Sequence, residues 1–533
     1  MEITVAEDKM ITGEDWSKIE VSKTDEKDNI IETNNYFPRY FSLFGTKISP
    51  FNLGIYQTPS KEGDILRSTQ YIGVLPLLPI GSDTEKQNQI HIKILPRFHI
   101  SPIEMLNEVL LGDDYNDNPK MLKTHSYSLT EWKNVSQDKK ILFGILNGAG
   151  KIDLSPKNDG QKLSEYDVEM VNLFGAFEII DFVNKAKMVC SRNLKKQSQR
   201  VEENLYCKVK GRILINKQIK YNASKGQNCK MYCSFNRMSE NIKENQILKY
   251  ALHLCQKKYG IVDSLLDDIN FCLRTLSGVP LTKVSQSDFI GLKNNGAYRQ
   301  YKDALLAAQK IISRYGITYS SKQSKETTVK NYRISPYFID MNLLFEFYCR
   351  AIFKKAIDEY NKSESNIHFQ LESALKAKKP LFKEKSELES FYMKEYIPDI
   401  VIKCMYKGNN TMKVAAVFDA KYSDVEEQTI SQRARTHQIL FYMKTLGCDY
   451  GGLVSPYKKN QNIGVSSDNI LINGLENNIT KLFYIPFEKE GSTDMYVERA
   501  VKVLEDIAKN IEKKREIWQK IIANAKNEKV DNK

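Results

Sequence analysis

The last third of the chain alternates helical segments with short apolar runs. The segments are, in order, MNLLFEFYCRAIFKKAIDEY (helical spacing), YIPDIVIKCMY and MKVAAVFDAKY (strand-like), ISQRARTHQILFYMKTLG (helical), and YGGLVSPY and KLFYIPF (strand-like). Chains that alternate in this way bury helices against a sheet. The order therefore predicts an α/β domain over residues 319–533, ending in an amphipathic C-terminal helix.

The residues upstream of this domain have a different pattern. Residues 1–64 mix acidic and basic side chains and end in aromatic residues, which predicts an irregular or partner-dependent arm. The polar stretch at residues 320–333 predicts a domain boundary. Residues 65–318 are therefore predicted to form a mixed β/helical domain.

Within residues 65–318, strand-like and helical patterns follow one another. Two apolar runs separated by a polar turn, QYIGVLPLLPI and QIHIKILPRF, predict a hairpin. The segments SPIEMLNEVLLG and SEYDVEMVNLFGAFEIIDFVNKAKMV have helical spacing, whereas KVKGRILINKQIK indicates a short strand.

Charge and cysteine content narrow the class of protein. Lys and Arg outnumber Asp and Glu by 79 to 66 in a chain of 533 residues, a balance that suits a polyanionic partner such as nucleic acid. The nine cysteines are scattered, and the chain opens without a signal segment, which predicts a reducing cytoplasm. No apolar run reaches the length of a membrane helix, so we expect a soluble protein without a membrane partner.

Two carboxylates and a lysine suggest metal-dependent chemistry. Asp399 precedes the apolar run IVI, while Asp419 and Lys421 close the run VAAVF with one residue between them. On a strand, this spacing puts both side chains on one face. Carboxylates from neighbouring strands bind Mg²⁺, for which Mn²⁺ is expected to substitute, and a nearby ammonium assists the attack of water on a phosphodiester.

Residues on the flanking helices extend this candidate site. Glu346 in LLFEFY is a further carboxylate that could bind the metal or orient a water. Gln438 and Tyr442 lie four residues apart on the following helix and share a face, where they could brace the site or contact DNA. The predicted catalytic set is therefore Glu346, Asp399, Asp419, Lys421 and Gln438, with the three carboxylates as metal ligands.

Each of these motifs alone says little about function, and only their order along the chain indicates a catalytic site. The pattern D-x-K also occurs at Asp25 and Asp138, and a lone acidic residue at a strand end is usually solvated. Cys229 and Cys233 lack the second ligand pair of a zinc site. The run GAGKID at residues 148–153 lacks the Ser or Thr of a phosphate-binding loop, so no nucleotide binding is expected there.

The motif order resembles that of a known family. MNLLFE, YIPDIVI, VFDAKY, HQILFYM and GGLVSPY are similar to the McrC subunit of McrBC-type modification-dependent restriction systems, with a PD-(D/E)XK nuclease domain. LYCKVKGRILINKQI, YCSFNRMSENIKENQILKYAL and AYRQYKDALLAAQKII resemble the middle segments of the same family in the same order. The likeness extends over residues 70–460.

The resemblance implies a Mg²⁺-dependent DNA endonuclease in a defence system. It implies modified double-stranded DNA as the substrate and a hexameric McrB-like AAA+ GTPase as the partner, with the region upstream of the nuclease domain docking into the motor. Arg212 and Arg237 are candidates for contacting the motor, or for buried ion pairs. Two alternatives stay open: a stand-alone DNA repair nuclease of the same fold, and a non-catalytic docking subunit that only binds DNA.

Overall fold

The chain divides into two compact units. The first comprises Met1–Leu154, Leu163–Met170 and Arg333–Lys533, and the second comprises Ser155–Lys162 and Val171–Tyr332. The computed structural model describes residues 2–6, 10–11, 20–24, 30–35, 55–58, 65–68, 71–77, 90–98, 100–111, 125–128, 142–147, 152–153, 165–257, 265–292, 296–315, 333–335, 337–363, 365–373, 379–380, 395–408, 411–423, 430–457, 465–471, 479–488 and 491–531.

The described residues form both helices and strands, which gives a mixed α/β protein. The strands are β1 Glu2–Ala6, β2 Met10–Ile11, β3 Glu20–Thr24, β4 Ile30–Asn35, β5 Ile55–Thr58, β6 Ile65–Ser68, β7 Tyr71–Leu77, β8 Ile90–Leu95, β9 His125–Ser128, β10 Phe143–Asn147, β11 Ile152–Asp153, β12 Gln197–Tyr206, β13 Arg212–Ile213, β14 Lys230–Ser239, β15 Arg333–Ile334, β16 Tyr337–Asp340, β17 Ile367–Leu371, β18 Lys379–Pro380, β19 Glu395–Tyr396, β20 Ile400–Tyr406, β21 Lys413–Ala420, β22 Tyr450–Tyr457, β23 Ser466–Leu471 and β24 Ile479–Glu488. The α-helices are α1 Pro102–Leu111, α2 Glu165–Cys190, α3 Ile215–Tyr221, α4 Lys243–Gln256, α5 Leu266–Thr275, α6 Gln300–Tyr315, α7 Met341–Tyr360, α8 Ile430–Leu446 and α9 Thr493–Asp531.

One sheet of the first unit combines strands from residues before Leu154 with β16, which lies after Arg333. Among the described strands its order is β1-β8-β7-β16-β10-β9. β7 and β8 form the predicted antiparallel hairpin, and β16 pairs antiparallel with β7 and with β10. Gly73 makes the pairing with β16 possible, because its φ is +136° and a side chain there would collide with the carbonyl of Tyr337.

The second sheet of this unit carries the candidate site. Its described order is β17-β20-β21-β22-β24-β23, with β20 and β21 antiparallel and β21, β22 and β24 parallel. Phe418 on β21 contacts Phe353 of α7 with ring centroids 4.9 Å apart, while its neighbour Val417 packs with Ile439 of α8. Successive residues of a strand point to opposite faces, so α7 and α8 cover opposite faces of the sheet.

The second unit combines helices with a three-stranded sheet of order β12-β14-β13 among its described strands. β12 and β14 pair antiparallel over ten residues each, from Gln197 opposite Ser239 to Tyr206 opposite Lys230. Around this hairpin, large apolar side chains lie exposed, among them Tyr206, Val209, Ile213, Ile215 and Ile219.

The domain boundaries differ from those expected. Residues 65–154 belong to the same compact unit as the residues after Arg333, because β16 inserts between β7 and β10. The described parts of residues 1–64 are strands, of which β1 pairs in parallel with β8, so these parts are not irregular as had been expected. The segment KVKGRILINKQIK was expected to be a strand and instead forms the two-residue β13 followed by α3.

Two further expectations can be compared with the fold. None of the helices in the described part of the chain combines the length and apolarity needed to cross a bilayer. Residues 148–151 of the run GAGKID lie outside the described residues, and Ile152–Asp153 form β11, which pairs antiparallel with β15.

Candidate active site

The ends of β20 and β21 bring Asp399 and Asp419 together. Ile400 pairs with Phe418 in the antiparallel register, and the same register puts Asp399 opposite Asp419. The backbone N–H of Ala420 donates a hydrogen bond of 2.9 Å to Oδ2 of Asp399. Pro398 and Asp399 precede the ladder, so the Asp399 carboxylate is positioned by the neighbouring strand rather than by its own.

Asp419 is a fully buried carboxylate with 0% exposure. Its Oδ2 lies 2.9 Å from Nζ of Lys421 in an ion pair. Apart from this ion pair, neither carboxylate oxygen has a hydrogen-bond partner among the described residues. A buried carboxylate normally has its lone pairs satisfied, because leaving them unsatisfied costs free energy. The oxygens of Asp419 therefore fit the hard-cation ligands that were predicted from the sequence.

Lys421 lies where β21 ends and faces the same side of the sheet as Asp419. Its backbone N–H donates a 2.9 Å hydrogen bond to the carbonyl of Val454 on β22, which fixes the turn of the chain there. Burial lowers the pKa of Lys421, but the Asp419 and Asp399 carboxylates outweigh burial and leave the pKa raised. The ammonium therefore stays protonated at neutral pH.

The pKa of Asp399 is raised well above its usual range. Burial is the largest cause, followed by the negative charges of Glu346 and Asp419, while Lys421 and the Ala420 N–H act in the opposite direction. The cluster therefore holds more negative charge than one lysine compensates. A divalent cation would relieve this repulsion, as would a proton.

Glu346 approaches the pair from α7. Asp340 caps this helix by accepting a 3.1 Å hydrogen bond from the N–H of Leu343. Burial, and then the charges of Asp399 and Glu346, raise the pKa of Cys349 well above its usual value, so both carboxylates lie close to this turn of α7. Across the described residues no set of three or more Cys, His, Asp and Glu side chains is arranged to hold a metal ion. Glu346 therefore lies near Asp399, and its role as a third metal ligand stays a prediction.

Gln438 reaches the site through Tyr442. Its Nε2 donates a 2.8 Å hydrogen bond to the Tyr442 hydroxyl, which in turn donates to the carbonyl of Ile397 at 3.4 Å. Burial raises the pKa of Tyr442, Gln438 lowers it, and the Asp419 and Asp399 carboxylates raise it again. Tyr442 thus lies next to the carboxylates, and Gln438 holds Tyr442.

Arg350 is a site residue that the sequence analysis missed. Its side chain is 1% exposed, and its guanidinium donates hydrogen bonds of 2.6 Å to the carbonyl of Asp399 and 2.7 Å to that of Glu372. The signal available in the sequence was an arginine among apolar residues, FYCRAIF, one turn after Glu346. An arginine on a buried helix face needs partners, and here it fixes the backbone that carries the Asp399 carboxylate.

The region after β8 also contacts the edge of the site. Phe98 meets Tyr422 edge to face, with ring centroids 5.0 Å apart, and Tyr422 also contacts Phe345 at 5.5 Å. Arg97 extends over the ring of Phe98 and donates to the carbonyl of Tyr422 at 3.5 Å. Tyr422 directly follows Lys421, so the segment after β8 supports the chain next to Lys421.

The remaining candidates lie elsewhere. Cys229 is exposed, and Cys233 is buried in β14. Arg237 is not buried as an ion pair: it forms an exposed bidentate pair with Glu203, with both N–O distances 2.6 Å. Arg212 is exposed on β13.

The comparisons with known proteins bear on the family. No curated protein sequence matches the chain. A refined half-complex of Thermococcus gammatolerans McrB AAA+ hexamers with bound McrC is similar at 15% identity, covering 95% of this chain and 100% of that one, with a TM-score of 0.34. The McrBC complex of the same organism is similar at 12% identity, covering 67% of this chain and 88% of that one, with a TM-score of 0.23. The family model described as "McrBC 5-methylcytosine restriction system component" matches residues 66–456, and the chain therefore belongs to that family.

Proposed function

We propose that the chain is the nuclease subunit of a McrBC-like restriction system and hydrolyses DNA phosphodiester bonds with Mg²⁺ at Asp399 and Asp419. The observation that supports this most strongly is the fully buried Asp419 carboxylate, whose only partner among the described residues is the Lys421 ammonium. Two carboxylates are enough for Mg²⁺, which keeps several waters and is often held by one or two protein carboxylates plus substrate phosphate. The sheet with α7 and α8 on its faces fits the proposed PD-(D/E)XK domain.

The residues of the chain have separate tasks in this proposal. When bound, Mg²⁺ neutralises charge on the scissile phosphate and favours deprotonation of the attacking water. Lys421 holds its ammonium beside the same carboxylate, where it stabilises the negative charge that builds up on the phosphate oxygens. Ala420 and Arg350 keep the Asp399 carboxylate in place through its Oδ2 and its carbonyl, respectively. Tyr442 and Gln438 brace the side of the site that α8 covers.

The partner in this proposal is a McrB-like AAA+ GTPase hexamer, which the chain stimulates. Support comes from the family membership and from the exposed apolar side chains around the β12–β14 hairpin, since surfaces of this kind mark protein interfaces. A restriction system named for 5-methylcytosine suggests modified double-stranded DNA as the substrate. Catalysis and docking would then belong to different compact units.

The test is DNA cleavage by the full chain together with a McrB-like AAA+ protein from the same organism, using methylated and unmethylated duplexes. We expect cleavage that requires Mg²⁺ or Mn²⁺, the partner and its nucleotide, and that stops in excess EDTA. Cleavage that persists in EDTA would contradict the metal mechanism. Cleavage by the chain alone would favour the stand-alone repair nuclease, and DNA binding without cleavage under all these conditions would favour the docking subunit.

A further inference from the structure

A small aromatic surface adjoins the candidate active site. It consists of Tyr396, Ile397 and Phe441 and is called the aromatic patch below. Ile397 and Phe441 are each 40% exposed. Tyr396 meets Phe441 edge to face at a centroid distance of 5.5 Å and stacks on Tyr442 at 5.9 Å, with an angle of 25° between the rings. The exposed ring of Phe441 is therefore held in place by two aromatic neighbours.

The aromatic patch is continuous with the proposed catalytic residues. Ile397 stands two residues before Asp399, and its carbonyl accepts the hydrogen bond from Tyr442. Phe441 directly precedes Tyr442 on α8, and Tyr442 lies close enough to Asp419 and Asp399 for their charges to raise its pKa, after the larger effect of burial. A nucleotide whose phosphate is held at Asp399 and Asp419 has its own base, or the next one, within reach of Phe441.

We propose that the aromatic patch stacks against one nucleobase of the cleaved strand, next to the scissile phosphate. This inference rests on the proposed function. Two exposed side chains offer far less surface than the roughly 800 Å² per partner of a typical protein interface, whereas one base needs only a ring face. The exposed neighbours of Phe441 on α8 are polar, namely His437, Lys444 and Thr445, which suits a nucleic acid strand with its phosphates.

The stacking contact restricts the form of the substrate. In a regular duplex both faces of a base are covered by its neighbours, so an inserted side chain must first unstack a base step. Phe and Ile are the apolar side chains that proteins use as such wedges. The substrate favoured by this site is therefore DNA with a kinked or unpaired step at the cleaved position.

The experiment measures binding of the full chain to DNA in Ca²⁺, a hard cation that can occupy carboxylate sites in place of Mg²⁺. The probe is a duplex with a short single-stranded gap that contains 2-aminopurine, a base whose fluorescence falls when it is stacked. Phe441→Ala removes the ring, and Phe441→Trp keeps an aromatic face. Phe271→Ala is the matched control, because Phe271 is a phenylalanine of similar exposure, 37%, in the other compact unit.

We expect wild type, Phe441→Trp and Phe271→Ala to quench the fluorescence, and Phe441→Ala to lose the quenching and bind about tenfold more weakly. On a gapped duplex with an abasic site in place of 2-aminopurine, wild type and Phe441→Ala should bind equally. Helical circular dichroism and thermal unfolding show that each variant is folded.

Quenching by Phe441→Ala, or an affinity loss that is the same on the abasic duplex, would overturn the inference. The same holds if Phe441→Ala binds DNA normally but no longer stimulates the AAA+ partner, since the patch would then contact protein. If wild type neither binds nor cleaves DNA, the proposed function fails as well. If wild type binds and cleaves while Phe441→Ala behaves identically, only the stacking inference fails.

Discussion

The backbone N–H of Ala420 donates a 2.9 Å hydrogen bond to Oδ2 of Asp399. Ala420 belongs to β21, so this strand orients the carboxylate of the residue that directly precedes β20. This bond, together with the β20–β21 register, accounts for how two acidic residues twenty positions apart reach one site. It also explains why the carboxylates stay together despite their repulsion. Their alignment is part of the sheet, and separating them would break the ladder.

Mg²⁺ should stabilise the wild-type protein at neutral to alkaline pH. The folded-state pKa of Asp399 is raised by burial, Glu346 and Asp419, so the protonated carboxyl stabilises the fold below the unfolded pKa, and this stabilisation is lost as pH rises through the folded pKa. Above that pKa the ionised carboxylate costs stability unless a cation binds it. We therefore expect Asp399→Asn to raise the Tm of the metal-free protein at pH 8, and Mg²⁺ to raise the Tm of wild type but not of this variant.

Thermal unfolding with and without Mg²⁺, at pH 8 and pH 5, measures this effect. The difference between Asp399→Asn and wild type should shrink as the pH falls. Asp358→Asn serves as the control, because Asp358 lies exposed on α7 and pairs only with the neighbouring Lys354 in the described contacts. If Mg²⁺ leaves the Tm of wild type unchanged at pH 8, the proposal that a cation binds at this site is contradicted.

Gln438 and Tyr442 should act as one unit. Gln438 contacts the site indirectly, through its 2.8 Å hydrogen bond to the Tyr442 hydroxyl. Removing either partner should therefore slow cleavage by roughly tenfold, which corresponds to the free energy of one hydrogen bond. Removing both should slow cleavage no more than removing one. Cleavage rates of Gln438→Leu, Tyr442→Phe and the double variant form the test.

Thr445→Ala is the control for that cycle, because the hydrogen bonds of the Thr445 hydroxyl to described residues stay within α8, at the carbonyls of Phe441 and Tyr442. It should cleave at the wild-type rate. Additive losses in the double variant would show that Gln438 acts on the substrate directly, which is one of the two roles that the sequence left open.

Strong local patterns made the helices and strands around the candidate site predictable. Helix α7 has the bounds of the segment MNLLFEFYCRAIFKKAIDEY, and Asp399, Asp419 and Lys421 come together as their strand spacing indicated. Arg350 and the Gln438–Tyr442 bond escaped prediction because both depend on which helix face meets which strand. Such contacts form between residues far apart along the chain, so the local sequence carries little signal for them.

The division into compact units was harder to predict for the same reason. β16 is a four-residue strand directly before α7, and its pairing with β7 and β10 joins residues more than 190 positions apart in one sheet. A strand of this length has too few residues to show periodicity. The polar stretch at residues 320–333 contains the point at which the chain passes from the second compact unit back to the first, but nothing in it indicates the return to the first sheet.

Arg350 should be required for the stability of the sheet that carries the candidate site. Its guanidinium bonds the carbonyls of Asp399 and Glu372, and hydrogen bonds from a charged donor contribute about 1.5–3 kcal/mol each. Arg350→Met should therefore lower the denaturant midpoint of the unit and raise the Mg²⁺ concentration needed for cleavage, whereas Arg350→Lys should restore part of both. Lys354→Ala, one turn further on α7 in a surface ion pair, should change neither. An unchanged Mg²⁺ requirement in folded Arg350→Met would contradict the positioning role.

The two arginines of the second unit should differ in their effect on the motor. Arg237 is engaged by Glu203, whereas Arg212 is exposed on β13 beside the apolar residues around the hairpin. We expect Arg212→Ala to reduce stimulation of the partner's GTPase several-fold and Arg237→Ala to have a smaller effect that Glu203→Gln reproduces. Phosphate release at fixed partner concentration is the measurement. Normal stimulation by Arg212→Ala would remove Arg212 from the interface.

The most direct test of the account compares Lys421→Ala with Lys413→Ala, since Lys413 begins β21 and Lys421 directly follows it, but of the two lysines only Lys421 pairs with Asp419. DNA cleavage and GTPase stimulation are measured on the same samples of each variant with the AAA+ partner. Lys421→Ala should cut DNA at least about a hundredfold more slowly while stimulating the partner normally, and Lys413→Ala should match wild type in both assays. Normal cleavage by Lys421→Ala would contradict the proposed catalytic site. Loss of GTPase stimulation in folded Lys421→Ala would contradict the separation of cleavage from docking.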